Sequence, residues 1–132
     1  MNTVPEGFSS VTPYFIVADA AGFIAFWVDG LGGLEVLRSL QPDGKIANAQ
    51  VVLGNGTGMV SDASEQYPPM PASCYLHVED ADAAVAMALA SGATLEMPVG
   101  NMPYGDRQGG IRDPSGNLWW VSQRLASGGY LH

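Results

Sequence analysis

The chain has 132 residues, of which 47% are hydrophobic, and five basic against thirteen acidic side chains leave a net charge of −8. So few Lys and Arg exclude a nucleic-acid partner, whose binding rests on clustered cations. No apolar run approaches the roughly 18 residues of a membrane span, so no membrane-spanning helix is expected.

A positive mean hydropathy of +0.11 and this length fit one domain, or two small modules sharing it. Met1 to Glu6 shows neither the basic region nor the apolar core of a signal peptide. Cys74 is the single cysteine. It allows no internal disulfide and fits a reducing compartment, so the expected location is cytoplasmic.

In chain order, Tyr14–Val17 is β-branched and aromatic and follows Pro13, which predicts a strand. Asp19 then stands where a helix needs a side-chain acceptor for its free amides. Phe23, Ile24, Trp27 and Val28 recur at helical spacing up to the stop at Gly30 to Gly33. Three further strands are predicted at 34–40, 46–53 and 57–61. Asp62 to Ala72, with Pro68, Pro69 and Pro71, reads as a linker.

The chain then repeats itself. Thr12 to Ala20 matches Ser73 to Ala81 at a constant spacing of 61 residues (Tyr14 to Tyr75). The same spacing pairs Ile24 with Val85, Leu34-Glu35-Val36 with Leu95-Glu96-Met97, and Val60-Ser61 with Val121-Ser122. No gap is needed, so two tandem copies of one β-α-β-β-β unit are expected, at about 11–62 and 72–124 with a linker at 63–71. The second copy predicts a strand at 75–78, a helix opened by Asp80 and closed by Ser91-Gly92, and strands at 95–99, 107–112 and 118–123. Its last hairpin is written Arg112-Asp113-Pro114-Ser115-Gly116-Asn117, which is turn chemistry, followed by the apolar run Leu118 to Val121.

That hairpin, the doubled unit, the Thr12-Pro13-Tyr14 opening, the Pro42-Asp43-Gly44 turn and the Tyr104-Gly105-Asp106-Arg107 segment together resemble the vicinal oxygen chelate superfamily. This superfamily holds glyoxalase, bleomycin-resistance and dioxygenase proteins, and the similarity is closest to its PhnB-like branch. The resemblance covers nearly all of residues 11–124. It implies an α+β fold in which tandem βαβββ units form a cup-shaped half-barrel within a single domain. It also implies a homodimer, with units exchanged between subunits. In metal-using members the cup holds a divalent ion on His, Glu or Gln. The positions matching those ligands here are Thr12, Met59, Ser73 and Trp120. None is a ligand for a hard or borderline cation, so no metal and no other cofactor is expected.

Strand alternation assigns the cup lining. Tyr14, Tyr75, His77, Trp120 and Ser122 point in, with Asn48 and Gln50 on the middle strand of the first unit and Arg107 on its counterpart. Tyr104 stands in a Gly- and Pro-flanked loop, where an exposed ring is placed for contact. The expected ligand-binding set is therefore Tyr14, Asn48, Gln50, Tyr75, His77, Tyr104, Arg107 and Trp120. No catalytic group is singled out. Large aromatic walls with a few polar groups describe a small-molecule pocket, and the acidic surface favours a cationic or aromatic ligand. A binding protein of the antibiotic-sequestering kind is the leading expectation. One alternative is a metal-dependent lyase, isomerase or dioxygenase using displaced ligands such as His77, Asn48, Gln50 or Asp106. Another is an interaction protein whose cup is filled by its own side chains.

Overall fold

The computed structural model describes residues 3–130, so Met1 and Asn2 of the opening stretch lie outside the described residues. The elements are β1 (Tyr14–Val17), α1 (Ala20–Leu31), β2 (Leu34–Leu40), β3 (Ile46–Leu53) and β4 (Gly56–Asp62). They are followed by β5 (Ser73–His77), α2 (Ala81–Ala90), β6 (Thr94–Asn101), β7 (Asp106–Arg112) and β8 (Leu118–Arg124). The chain divides into two compact units after Pro71. Each carries one mixed sheet and one helix, an α+β arrangement of tandem βαβββ units.

In the first unit the strand order is β1-β4-β3-β2, with β1 parallel to β4 and the other neighbours antiparallel. Asp19 caps α1, accepting from the Gly22 amide at 3.0 Å. Asp62, at the end of β4, accepts from the amides of Ala20 (2.8 Å) and Ile46 (2.7 Å), which ties the helix start to two strands. The core is aromatic. Phe15, Phe23 and Trp27 are buried with ring centroids 5.0–5.3 Å apart in tilted and edge-on geometry. Such pairs contribute about 0.5–1.5 kcal/mol each beyond the area they bury. The linker is not bare: Met70 donates its amide to the Ile16 carbonyl at 3.0 Å and forms a bridge beside β1.

The second unit repeats the plan as β5-β8-β7-β6. Asp80 caps α2 through the Ala83 amide (3.1 Å), and Gln123 takes the role of Asp62 by accepting from the Ala81 amide at 3.0 Å. Val85, Ala81 and Ala88 are the buried face of α2, over a sheet that contributes Ile111, Trp119 and Val121. Leu89, although at helical spacing from Val85, is exposed.

The two copies are not gap-free. Gln50 pairs with Met59, while Gly110 pairs with Trp120. The spacing between copies is thus 61 residues for β4 and β8 but 60 for β3 and β7. Equivalent pairs Val52–Thr57 and Arg112–Leu118 enclose hairpins that differ by one residue, the second being longer. Because side chains alternate along a strand, one residue exchanges the faces of β7 relative to a gap-free reading.

Candidate functional site

The hairpin that signs the sequence is a structural device. Asp113 is 4% exposed and accepts from the amides of Ser115 (2.9 Å) and Asn117 (3.0 Å), the Asn117 side-chain amide, and the Trp119 indole N–H (2.8 Å). Asn117 in turn accepts from the Ala72 amide at 2.8 Å, which fixes the chain just ahead of β5. Arg112 pairs with Glu96 at 3.2 Å on the outside. These residues hold β8 in register and leave no reactive group free.

The polar chemistry gathers on the sheet face turned away from α2. Asp106 is fully buried there, at 0% exposure. Its Oδ2 accepts from three hydroxyls, those of Tyr75, Ser122 and Tyr130, each at 2.6 Å. Its Oδ1 accepts from Arg124 Nη1 at 2.8 Å. Around this core, Gln108 donates to Ser122 Oγ at 3.2 Å and accepts from the Tyr104 hydroxyl. His77 Nε2 stands 3.0 Å from the Tyr130 hydroxyl. The strand pairings place these groups together, with Asp106 opposite Arg124, Gln108 opposite Ser122, and His77 beside Ser122.

Burial is the largest single influence on the Asp106 carboxyl and would raise its pKa. The hydrogen bonds from Ser122, Tyr130, Tyr75 and Arg124 outweigh it together and hold the group well below the usual carboxylate range. The Tyr130 phenol is shifted the opposite way, chiefly because it donates to Asp106 and then because of desolvation. Tyr104 is also raised, first by desolvation and then by the charge on its neighbours Tyr75 and Asp106. The cluster therefore holds one fixed anion, with the Tyr104 and Tyr130 phenols kept neutral beside it near neutral pH.

Two glycines make room for it. Gly110 faces Trp120 across the β7–β8 pair, and a Cβ there would lie 2.9 Å from the indole ring. The half-buried ring thus lies against bare backbone, with its N–H donating to Ser73 Oγ at 3.2 Å. Gly105 has φ +91°, and a Cβ on it would stand 3.0 Å from Arg124 Nη1. Its carbonyl accepts from the amides of Leu125 and Ala126 as the chain leaves β8.

The expected lining residues divide among three places. Tyr75, His77, Tyr104 and Trp120 lie in or beside the Asp106 cluster. Tyr14, Asn48 and Gln50 belong to the first unit, where Tyr14 is half exposed and Gln50 donates to Asn48 at 3.4 Å. Arg107, expected to point into the cup, does not. It is held on the helix side by Asp82 of α2 (2.6 Å) and by Asn101 (2.9 Å). The extra residue in the second hairpin is the reason, since it turns Asp106 and Gln108 inward and Arg107 outward. Sequence reasoning passed over Gln108, Arg124 and Tyr130. The signal for Gln108 was alternation counted back from Ser122 through the longer turn, and for Arg124 the same alternation counted forward along β8. For Tyr130 it was a lone aromatic in a Gly- and Ser-rich tail.

The four positions that the resemblance would make metal ligands do not fit a divalent ion. Thr12 donates its hydroxyl to the Ser9 carbonyl (3.3 Å), Ser73 is engaged by the Trp120 indole, and Met59 and Trp120 offer no hard donor. Among the described residues, no group of three or more His, Cys, Asp or Glu side chains gathers to hold one. Nor, among those residues, is any helix long and apolar enough to cross a membrane.

Comparison with known proteins agrees with this architecture. An uncharacterized protein of Mycobacterium bovis, Mb0911c, is 31% identical over 125 residues, spanning 86% of this chain and 82% of the relative. The structure of TioX from Micromonospora sp. ML1 superposes with a TM-score of 0.76 at 26% identity, covering 89% of this chain and 99% of that one. TnmS3 of Streptomyces sp. CB03234, an antibiotic binding protein, gives a TM-score of 0.65 at 24% identity, over 88% and 98% of the two chains. The sequence pattern of one superfamily matches residues 8–121. With that match and the paired βαβββ units, the chain belongs to the glyoxalase/bleomycin resistance protein/dioxygenase superfamily.

Proposed function

We propose that the second unit binds a small aromatic molecule on the sheet face turned away from α2, with the Asp106 cluster as its polar anchor. The observation that carries this is the placement of a fully buried, ionised carboxylate among rings that stay accessible. Tyr75 is 45% exposed and Tyr104 is 44% exposed, although both hydroxyls are directed into the cluster. A few converging polar groups within aromatic walls are the usual composition of a ligand site. Binding is favoured over proton transfer because a general base must exchange its proton near the working pH. Four donors hold Asp106 ionised far below that range. The net charge of −8 and the indole of Trp120 favour a cationic ring system. TnmS3, an antibiotic binding protein, shares the fold.

A panel of planar cationic and neutral aromatics should quench tryptophan emission. Trp120→Ala should weaken binding by about 1–3 kcal/mol, whereas Trp27→Ala should lower stability and leave affinity nearly unchanged. The chelator-treated protein should bind and melt as before, since no metal is part of the site. Equal losses of binding and stability in both variants would make Trp120 packing and remove the site.

We infer also that the protein self-associates, as a cytoplasmic homodimer with exchanged units. Edge strand β2 exposes Leu34, Val36 and Leu40, an apolar row that a second copy would cover. Sedimentation should give twice the chain mass of 13.8 kDa, and a single-chain mass at micromolar concentration would end this reading.

A further inference from the structure

Tyr130 is not a residue of the sheet. It stands beyond β8, at the end of the exposed stretch 125–130, after Gly128 at φ +80°. That stretch buries little: Leu125 is 52% exposed and Tyr130 itself 38%. Its attachments are mostly polar, namely the Leu125 amide on the Gly105 carbonyl (2.8 Å) and Arg124 Nη2 on the Gly129 carbonyl (3.0 Å). Yet the Tyr130 ring meets a complete set of partners. The hydroxyl donates to Asp106 Oδ2 at 2.6 Å and lies 3.0 Å from His77 Nε2. The Arg124 guanidinium sits 4.2 Å from the ring centroid. Tyr75 and Tyr104 meet the ring edge-on, with centroids at 6.3 and 6.5 Å, and His77 at 6.3 Å.

We propose that Tyr130 occupies a ligand's place: this face of the second unit takes a hydroxylated aromatic ring, and the tail segment 125–130 is its built-in competitor. The proposal rests on the reading of this face as a binding site and narrows its ligand to phenols. A phenol hydroxyl donates one hydrogen bond and accepts others, which matches Asp106 on one side and His77 Nε2–H on the other. An ether cannot donate to Asp106. A quaternary ammonium can do neither. Arg124 over the ring supplies a cation–π contact that any electron-rich arene would share. The tail must leave for a ligand to enter, so the apparent affinity of the intact chain is reduced by the fraction of time the tail is away.

Equilibrium dialysis of the full chain with 2-naphthol and 2-methoxynaphthalene tests this. Tyr130→Ala should bind 2-naphthol about tenfold more tightly than the unchanged protein or better, as expected when a competitor present about 90% of the time is removed. Tyr130→Phe, which keeps the ring and loses the hydroxyl, should fall between the two. In Tyr130→Ala the ether should bind at least tenfold more weakly than the naphthol. Thermal melts of both variants near that of the unchanged protein should show that only the tail is affected. Equal naphthol affinity with and without the Tyr130 ring would overturn the competitor, and equal affinity for naphthol and ether would overturn the phenol class. If naphthol fails to bind Tyr130→Ala while the aromatic panel still quenches Trp120, this inference fails alone. Loss of both signals removes the binding face as well.

Discussion

Asp113→Ala is expected to destabilise the protein by about 3 kcal/mol or more, a drop in melting temperature on the order of 10 °C. The side chain is an acceptor with no substitute nearby. Its removal takes away the acceptor of the Asn117 and Trp119 side-chain donors, and those residues are 1% and 3% exposed. A buried donor left unsatisfied costs about 1–3 kcal/mol, and two amides in the turn lose their acceptor as well. Asp113→Asn keeps one oxygen and should recover part of the loss. The check is a urea transition, in which the midpoint falls while the slope is preserved. A loss under about 1 kcal/mol would mean that the turn is held by Pro114 and Gly116 backbone preference alone.

The second large effect falls on Asp106. Asp106→Ala removes the acceptor of three hydroxyls and the counter-charge of Arg124, whose side chain is 22% exposed and so partly reachable by water. An expected cost of about 2–4 kcal/mol follows. Pairing it with Arg124→Ala should cost less than the two changes added, because they share one contact. The pH dependence has a definite sign. The folded carboxyl lies below the unfolded value of about 3.9, so its contribution is complete above that value. It is lost as pH falls through that value toward the folded one, while the unfolded chain takes up the proton first. Asp106→Asn should flatten the stability profile over that acid range. The raised phenols of Tyr104 and Tyr130 act at the other end. Their contribution is present below the ordinary tyrosine value of about 10 and fades as pH rises through their shifted values.

Most of the fold was legible because the signals were local. Asp19 and Asp80 marked both helix starts, β-branched and aromatic runs marked the strands, and the observed ends differ from the expected ones by a residue or two. The faces of β7 were not legible, because a face depends on a count. One extra residue between Arg112 and Leu118 cannot be seen while the repeat is read without gaps. Arg107 was therefore assigned to the pocket in place of Asp106 and Gln108. Tyr130 was hidden for a different reason. Gly128-Gly129 has the composition of a loose end, and only the tertiary partners Asp106, His77 and Arg124 give its ring an address.

The pairing of Asp106 with Arg124, and of Gln108 with Ser122, lies across a single hairpin. The acceptor, its counter-charge and one of its three hydroxyl donors are thus encoded in one short continuous stretch of gene. Any change that moves this stretch as a whole keeps Asp106, Ser122 and Arg124 in register with one another. The rings at 75, 77 and 130 are written elsewhere and change one codon at a time. Substitutions at those rings can therefore reshape the exposed face while the buried charge and its hairpin partners stay in place.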